Sequence, residues 1–516
     1  MKSDEPFIVS PDDEYNRALL SNVHPPDWRN PEPAGRYNLV VIGAGTAGLV
    51  TAVIAAGLGA KVALVERHLM GGDCLNVGCV PSKAVIRASR AWADIRRAEA
   101  FGAYLPAGVK YDVAAVMARM RRLRARLSPT DSAHRYKSLG VDVYIGWAQF
   151  TGRDTVAVEG SAGNRTLAFT KAAICSGARA AEPSIPGLRQ VGYLTNETVF
   201  NLTALPPRLA VIGAGPIGCE LAQAFARLGS QVYLIEVLHG LLPNEDRDAA
   251  AIVQVAMARD HITFLCCGTQ LAVERAEAAK RLTVDSHGQH YDLTVDEILV
   301  GVGRTPNTEG LNLEAASVAY DKTGVRVNPR LQTTNPKIYA AGDICSRYKF
   351  THVADALAQV VIQNALFPHP LGLGYASSES LTIPWCTYTD PEIAHVGLYE
   401  EEAKKKGIEV ETSTSTLDEV DRAILDSQEE GFARLHVKKG TDQLVGATVV
   451  AAHAGEMISE ITVLMQSGKG LKTLTGTIHP YPTQAEAIKK AGNLWRKAHF
   501  TAGMKNVLRK WFEWTR

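Results

Sequence analysis

The hydrophobic runs of this chain are short, rich in β-branched residues and stopped by glycine, and one run–turn–run pattern occurs twice. Val40-Val41-Ile42 leads into Gly43-Ala44-Gly45-Thr46-Ala47-Gly48, small residues follow, and Lys61-Val62-Ala63-Leu64-Val65-Glu66 ends the unit. A shift of 170 residues gives Ala210-Val211-Ile212, then Gly213-Ala214-Gly215-Pro216-Ile217-Gly218, then Gln231-Val232-Tyr233-Leu234-Ile235-Glu236. The copies align without a gap, and Leu58-Gly59 matches Leu228-Gly229. Apolar runs bounded by glycine read as buried strands, and the small-residue stretch between them as a helix. Each unit is therefore strand, glycine turn, helix, strand. Asn38 to Ala60 carries no charge and is long enough for a membrane helix. Its β-like opening into Gly-Ala-Gly does not suit one, so the soluble reading is preferred. Elsewhere Ala84 to Ile95 reads as helix with Pro81 in its first turn, and Ile262 to Cys267 as a buried strand. Near the end, Met504, Val507, Leu508, Trp511 and Phe512 share one helical face, with Lys505, Arg509 and Lys510 away from it.

A glycine turn between strand and helix is built to hold a pyrophosphate. The first glycine makes the turn, the second lets the phosphates approach the backbone, and the third lets helix and strand pack closely. The anion then rests on the helix N-terminus. Gly43, Gly45 and Gly48 fill these positions in one unit, and Gly213, Gly215 and Gly218 in the other. Glu66 and Glu236, each 23 residues past the first glycine, are placed for a ribose hydroxyl. Two such units imply two dinucleotides, a bound flavin and a diffusing nicotinamide. Glu236 would repel a 2′-phosphate and no arginine pair follows it, so NADH is expected over NADPH. The alternative for Glu236 is a solvated strand end.

Length and charge narrow the class. A chain of 516 residues implies several domains. Its 55 basic and 54 acidic side chains nearly balance, which argues against nucleic-acid binding. The eight cysteines form no disulfide framework, and Met1 to Asn16 lacks the apolar core of a signal peptide, so a reducing, cytoplasmic location is expected. Residues 1–36 hold Pro6, Pro11, Pro25, Pro26, Pro31 and Pro33, and are expected to drape over the body with little regular structure, pinned by Trp28. Lys489 to Arg516 carries eight basic residues and one acidic residue, Glu513. The 496–516 tail is read either as a membrane-surface or partner-docking helix, or as packing against a dimer.

The candidate chemistry lies in Gly71-Gly72-Asp73-Cys74-Leu75-Asn76-Val77-Gly78-Cys79-Val80-Pro81-Ser82-Lys83, just past the first glycine turn. Two thiols beside a redox cofactor can take up two electrons and pass them on. Five residues of regular helix advance about 7.5 Å, beyond the Cα separation of about 7 Å that a disulfide tolerates. The pair must therefore lie where the chain enters a helix. Cys79, at that entrance, is the expected low-pKa sulfur. A zinc half-site or two buried thiols are the alternatives, but no second ligand pair has matching spacing. Cys266-Cys267 are adjacent, yet read as strand interior. No resident metal site is expected.

Together these motifs resemble the pyridine nucleotide-disulfide oxidoreductases, the family of lipoamide dehydrogenase, glutathione reductase and mercuric reductase. The likeness runs from about Tyr37 to Asn493. It includes Ile174-Cys175-Ser176-Gly177-Ala178-Arg179, Val302-Gly303-Arg304-Thr305-Pro306-Asn307, Ile338-Tyr339-Ala340-Ala341-Gly342-Asp343 and Thr389-Asp390-Pro391-Glu392-Ile393-Ala394-His395-Val396-Gly397. The resemblance implies an α/β protein with two Rossmann-like dinucleotide-binding domains and an α/β dimerisation domain. The expected divisions are an extension (1–36), a flavin domain in two parts (37–185 and 309–372), a nicotinamide domain (186–308), an interface domain (373–495) and a tail (496–516). FAD would sit on Gly43, Gly45, Gly48, Glu66, Arg67, Gly72, Lys83, Gly177 and Asp343. NADH would sit on Gly213, Gly215, Gly218, Glu236 and Gly303. Lys83 and Glu220 would pair near the flavin. Cys79 would face the flavin, Cys74 would meet the acceptor, and the two would form a disulfide when oxidised.

One departure bears on the acceptor. The family's disulfide reductases carry a histidine base in a His-Pro-Thr segment of the partner subunit, backed by a glutamate. Here the segment is His479-Pro480-Tyr481-Pro482-Thr483-Gln484-Ala485-Glu486, with Tyr481 at the histidine position and Glu486 behind it. A neutral phenol is a poor proton shuttle. Mercuric reductases resemble the chain here, having a tyrosine too, although their terminal cysteine pair is missing from this chain. His479 is an alternative base. The expected activity is an FAD-dependent, mercuric reductase-like transfer from NADH to a soft metal ion. A small disulfide or quinone-like acceptor, and electron delivery to a membrane partner docked on the tail, are the alternatives.

Overall fold

The computed structural model describes residues 9–106 and 108–516; Pro6 of the N-terminal extension lies outside them. The chain forms two compact units, one running to Val237 and resuming over Thr263–Leu381, the other made of Leu238–Ile262 and Thr382–Arg516.

The first unit contains the duplicated pattern as two sheets with parallel cores, the first of them extended by the antiparallel strands Thr155–Glu159 and Trp147–Gly152. In one, the strands run in the order Val141–Ile145, Val62–Glu66, Tyr37–Ile42, Arg165–Ile174, with Ile338–Ala340 beside the last. In the other, the order is Thr263–Leu265, Gln231–Ile235, Arg208–Ile212, Glu297–Val300. The central strands are buried along nearly their whole length, as parallel strands covered on both faces must be. The copies repeat in detail. Gly43 donates its N–H to Val65 O at 2.8 Å, and Gly213 donates to Ile235 O at 2.8 Å. Helices Thr46–Gly57 and Pro216–Arg227 start directly from the turns. A three-stranded antiparallel sheet, Thr269–Ala276, Ala279–Ser286 and Gln289–Val295, follows the second copy's third strand.

The second unit is a five-stranded antiparallel sheet ordered Pro384–Thr387, Glu392–Gly397, Leu444–Ala451, Phe432–Lys438, Val410–Thr416. Its buried core joins Leu435, Ala447 and Val449 to Ile461, Ile488 and Trp495 from helices Ala454–Gln466 and Glu486–Ala498. Helix Arg247–Arg259 belongs to the same unit. Arg434 reaches Asp246 and Asp248 at 2.7 and 2.8 Å, and Glu245 accepts from Trp385 Nε1 (2.9 Å) and Tyr399 OH (2.6 Å). No helix among the described residues is long and apolar enough to cross a membrane.

The extension is more ordered than its prolines imply. Glu14–Val23 is a helix capped by Asp13, whose carboxylate accepts the N–H of Asn16 at 2.8 Å. Pro11 precedes the cap and Pro25 follows the end, so the prolines bound the helix without entering it. Leu19 and Val23 are fully buried, which supplies the apolar face a short helix needs. Trp28 does anchor the segment, through Nε1 to Val143 O at 3.2 Å and edge-on contact with His134.

One buried cation links this helix to the cysteine segment. Arg124, 1% exposed, donates to Asn76 O and Asn16 Oδ1, each at 2.7 Å. Burial lowers its pKa to about 10, still high enough to keep its charge at neutral pH. Replacing Arg124 with Met should strand both acceptors and cost about 3 kcal/mol. A lowered urea midpoint of the flavin-loaded protein would show it, and an unchanged midpoint would refute it.

Candidate active site

Cys74 and Cys79 are brought together by a break in helical structure. Gly72–Asn76 is a short helix, Cys79–Arg96 a long one, and Val77 and Gly78 between them leave the helical region. A Cβ on Gly78 would lie 2.8 Å from Asp73 O, so this corner requires glycine. Cys79 is the first residue of the long helix, with Pro81 in its first turn, where no N–H is missed. Both cysteines are present as thiols. Cys74 donates to the Cys79 sulfur, which lowers the Cys79 pKa to about 6; the Thr351 hydroxyl, 3.3 Å away, and the Lys83 charge act the same way. The Cys74 thiol is pushed far up, first by that hydrogen bond and then by burial.

Lys83, one turn along the helix from Cys79, places Nζ 2.7 Å from Glu220 Oε2. Glu220 is buried in helix Pro216–Arg227, so the pair ties the cysteine helix to the second glycine unit. Two positions went unassigned in the sequence reading. Thr351 opens helix Thr351–Leu366, and a threonine there has no distinguishing sequence signal. Arg304 lies in a quoted motif, yet only the fold places it against Asp73, with Nη2 2.5 Å from Ala178 O and Nε 3.3 Å from Asp343 Oδ2. Burial raises the Asp343 pKa, and Arg304 opposes that rise.

The glycines of each turn divide into closed and open positions. At Gly43 (φ +101°) a Cβ would lie 2.3 Å from Cys175 O, and at Gly48 it would lie 1.8 Å from Gly43 O. Gly213 (φ +102°) and Gly218 are closed in the same way, by Gly301 O at 2.6 Å and Gly213 O at 1.9 Å. The middle glycines differ: a Cβ at Gly45 meets nothing nearer than 3.8 Å, and at Gly215 nothing within 4 Å. Open backbone at a helix N-terminus is what a pyrophosphate fits. Glu66 accepts the N–H of Ala44 at 2.6 Å, and Glu236 that of Ala214 at 2.7 Å, so each carboxylate also braces its turn. Gly71 N donates to Ala44 O at 2.8 Å and Gly72 abuts Gly45, which holds the cysteine segment against the first cradle. Arg67 stacks its guanidinium on Trp147. Gly177 (φ +70°) and Gly303 (φ +122°) are open positions whose carbonyls accept from Asn307 and Ala181.

In the second unit, Tyr481 is exposed and donates its hydroxyl to Asp421 Oδ2 at 2.7 Å, which raises its pKa. Glu486 starts the following helix, with Oε1 3.6 Å from Lys490 and Oε2 buried. His479 is held by Glu460 at 2.8 Å through Nε2, and by the Thr477 carbonyl at 3.2 Å through Nδ1. Both ring nitrogens are thereby engaged.

Comparison with known proteins identifies the family. Residues 37–358 match the family model "Pyridine nucleotide-disulphide oxidoreductase", and residues 383–492 match its dimerisation domain. The chain is 35% identical to a mercuric reductase of Staphylococcus aureus, over 89% of this chain and 82% of that one. It is 34% identical to a dihydrolipoyl dehydrogenase of Thermus scotoductus, over 89% and 98%. Among solved structures, the Cu(II) complex of the HOCl-induced flavoprotein disulfide reductase RclA from Escherichia coli aligns with a TM-score of 0.78 at 27% identity, covering 89% of this chain and 99% of that one. The chain therefore belongs to the pyridine nucleotide-disulphide oxidoreductases, an FAD-dependent family that uses NAD(P)H.

Proposed function

We propose that this protein is an NADH-dependent reductase whose Cys74/Cys79 pair delivers two electrons to a soft metal ion, as a homodimer in which Tyr481 and Glu486 of one subunit complete the site of the other. The observation that carries the reading is Tyr481, held neutral by its hydrogen bond to Asp421. Thiol–disulfide exchange needs a proton delivered to the leaving sulfur, and a phenol of raised pKa is poorly suited to deliver it at neutral pH. A thiophilic ion binds sulfur directly and has no such requirement. For Hg(II) the overall change balances as NADH and Hg(II) giving NAD⁺, a proton and Hg(0). The likeness to mercuric reductases, and to a flavoprotein disulfide reductase solved with Cu(II), supports a metal-ion acceptor.

FAD, when bound, supplies the two-electron exchange between nicotinamide and sulfur; the open turn at Gly45, with Glu66 and Asp343, would hold it. Glu236 and the turn at Gly215 would hold NADH. The chain's own side chains set the rest. Cys79 keeps negative charge at the start of a helix, where the dipole, Lys83 and the Thr351 hydroxyl all favour it. Cys74 retains its proton until an acceptor displaces it, so the two sulfurs do not compete for one task. Glu220 holds the Lys83 ammonium in place.

A second reading concerns location. Helix Ala502–Trp514 is exposed along its length, including Trp511, Phe512 and Trp514, and the segment from Arg496 to Arg516 also carries Arg496, Lys497, Lys505, Arg509, Lys510 and Arg516. That composition suits an anionic bilayer surface.

The principal test is a steady-state acceptor screen. Cys74→Ser should abolish Hg(II)-dependent NADH oxidation while leaving the flavin bound; full activity in that variant would end the proposal. In reduced enzyme, the Cys79 thiolate is present above its pKa and lost as pH falls through it. Its alkylation by iodoacetamide, read by peptide mapping, should therefore be half-maximal near pH 6, and Lys83→Met should move the midpoint upward. The wild-type kcat/KM should favour NADH over NADPH by about tenfold, and Glu236→Ala should narrow the gap. Liposomes containing anionic lipid should float the full chain and leave a version truncated after Lys497 in solution; equal flotation would dismiss the membrane reading.

A further inference from the structure

Cys266 and Cys267 do not lie in a strand interior. Their strand ends at Leu265, Cys267 takes φ +55°, and both side chains are partly exposed. The apolar run suggested a longer strand, but the chain must turn at Gly268 to enter the antiparallel sheet. Gly268 N then donates to Glu236 O at 2.9 Å, and this bond fixes the bend.

The bend sets two thiols side by side and puts an imidazole against one of them. The Sγ atoms of Cys266 and Cys267 lie within 4.8 Å of one another and share a hydrogen bond. His287 reaches Cys266 from the tip of the hairpin joining Ala279–Ser286 to Gln289–Val295. There His287 and Gly288, with φ +49° and +77°, form the two-residue turn. Its Nε2 is 3.1 Å from Cys266 Sγ. Ser286, just before the turn, donates Oγ to Cys266 O at 2.6 Å and so locks hairpin to bend. An open depression of about 620 Å³ adjoins the donors, lined by Cys267, Thr269, Asp285, His287, Gly288 and His290. Asp285 and His290 are paired across the hairpin at 2.6 Å, which gives the depression a carboxylate and a second imidazole.

We infer that Cys266, Cys267 and His287 form a binding site for a thiophilic d10 cation such as Zn(II), Cu(I) or Hg(II), separate from the Cys74/Cys79 pair. Two thiolates and one imidazole are the ligand set such ions favour, with the fourth position left to water or to the Asp285–His290 pair. Metal–sulfur and metal–nitrogen bonds of about 2.3 and 2.0 Å at a tetrahedral centre put sulfur and nitrogen about 3.5 Å apart. The 3.1 Å contact therefore needs to open only slightly, within the freedom of exposed side chains. On binding, the two thiols release their protons to solvent and no electrons move. Exposure of the bend leaves the ion a direct route from water.

The test uses Zn(II), which is redox-silent, on the oxidised holoenzyme. Competition with a chromogenic chelator should show one more equivalent of Zn(II) per chain in wild type than in the Cys266→Ser/Cys267→Ser double variant. His287→Ala should weaken that equivalent about tenfold or more, the effect of losing one of three protein ligands. One equivalent of Zn(II) should also shield Cys266 and Cys267 from iodoacetamide in the wild-type protein, a readout that needs no variant to fold. Identical stoichiometry in both proteins, or unshielded alkylation at an unchanged rate, would overturn the inference. Because each readout reports Cys266 and Cys267, it is independent of whether Cys74 and Cys79 reduce a metal ion.

Discussion

Two sulfurs five residues apart can share a proton here because the backbone leaves the helical region at Val77 and Gly78 and re-enters it at Cys79. The rest of the cysteine segment serves to hold that break. Gly78 fits where a side chain would strike Asp73 O. Asn76 ends the short helix and gives its carbonyl to the buried Arg124. Asp73, one residue before Cys74, is held by Arg304, which also approaches Asp343. A continuous helix would carry the thiols too far apart, and an unsupported loop would leave the spacing to chance.

The same break creates an electrostatic division of labour. At a helix start Cys79 meets unsatisfied N–H groups, the Lys83 charge and the Thr351 hydroxyl, all of which favour thiolate. Cys74, on the preceding helix and partly buried, keeps the proton. Two chemically identical side chains are thus driven to opposite pKa shifts, first by the hydrogen bond between them and then by their different surroundings. The Lys83–Glu220 pair, with the carboxylate buried and the ammonium partly exposed, joins this arrangement to the helix leaving the second glycine turn.

Duplication accounts for much of the first unit. Both copies close the first and third glycines with backbone and leave the second open. Both also turn the acidic residue at the end of the second strand back onto the central alanine N–H. Such agreement across 170 residues follows from a shared steric requirement: the strand–turn–helix corner leaves no room for a Cβ at its first and third glycines. After the third strand of its parallel core each copy enters an antiparallel meander, but only the second does so through the bend at Cys266 and Cys267, and that bend carries the inferred cation site.

Local chemistry decided what the sequence could reveal by itself. Glycine spacing fixed both turns, Pro81 and the Cys74–Cys79 spacing fixed a helix entrance, and the family motifs fixed the α/β class, because each depends on residues near in the chain. Tertiary structure decided the remainder, because it depends on residues that meet from afar. Thr351 and Arg304 reach the cysteine segment from 272 and 231 residues away, and no local pattern marks them. The helix Glu14–Val23 exists because Leu19 and Val23 find a core and Asp13 supplies a cap, while proline content alone pointed the other way. Cys266 and Cys267 follow an apolar run that reads as strand, yet the chain bends at Gly268, whose N–H binds Glu236 O, and Cys266 meets His287. Periodicity records which side chains prefer burial; where the chain must bend to reach its next element is settled only by the elements it has to meet.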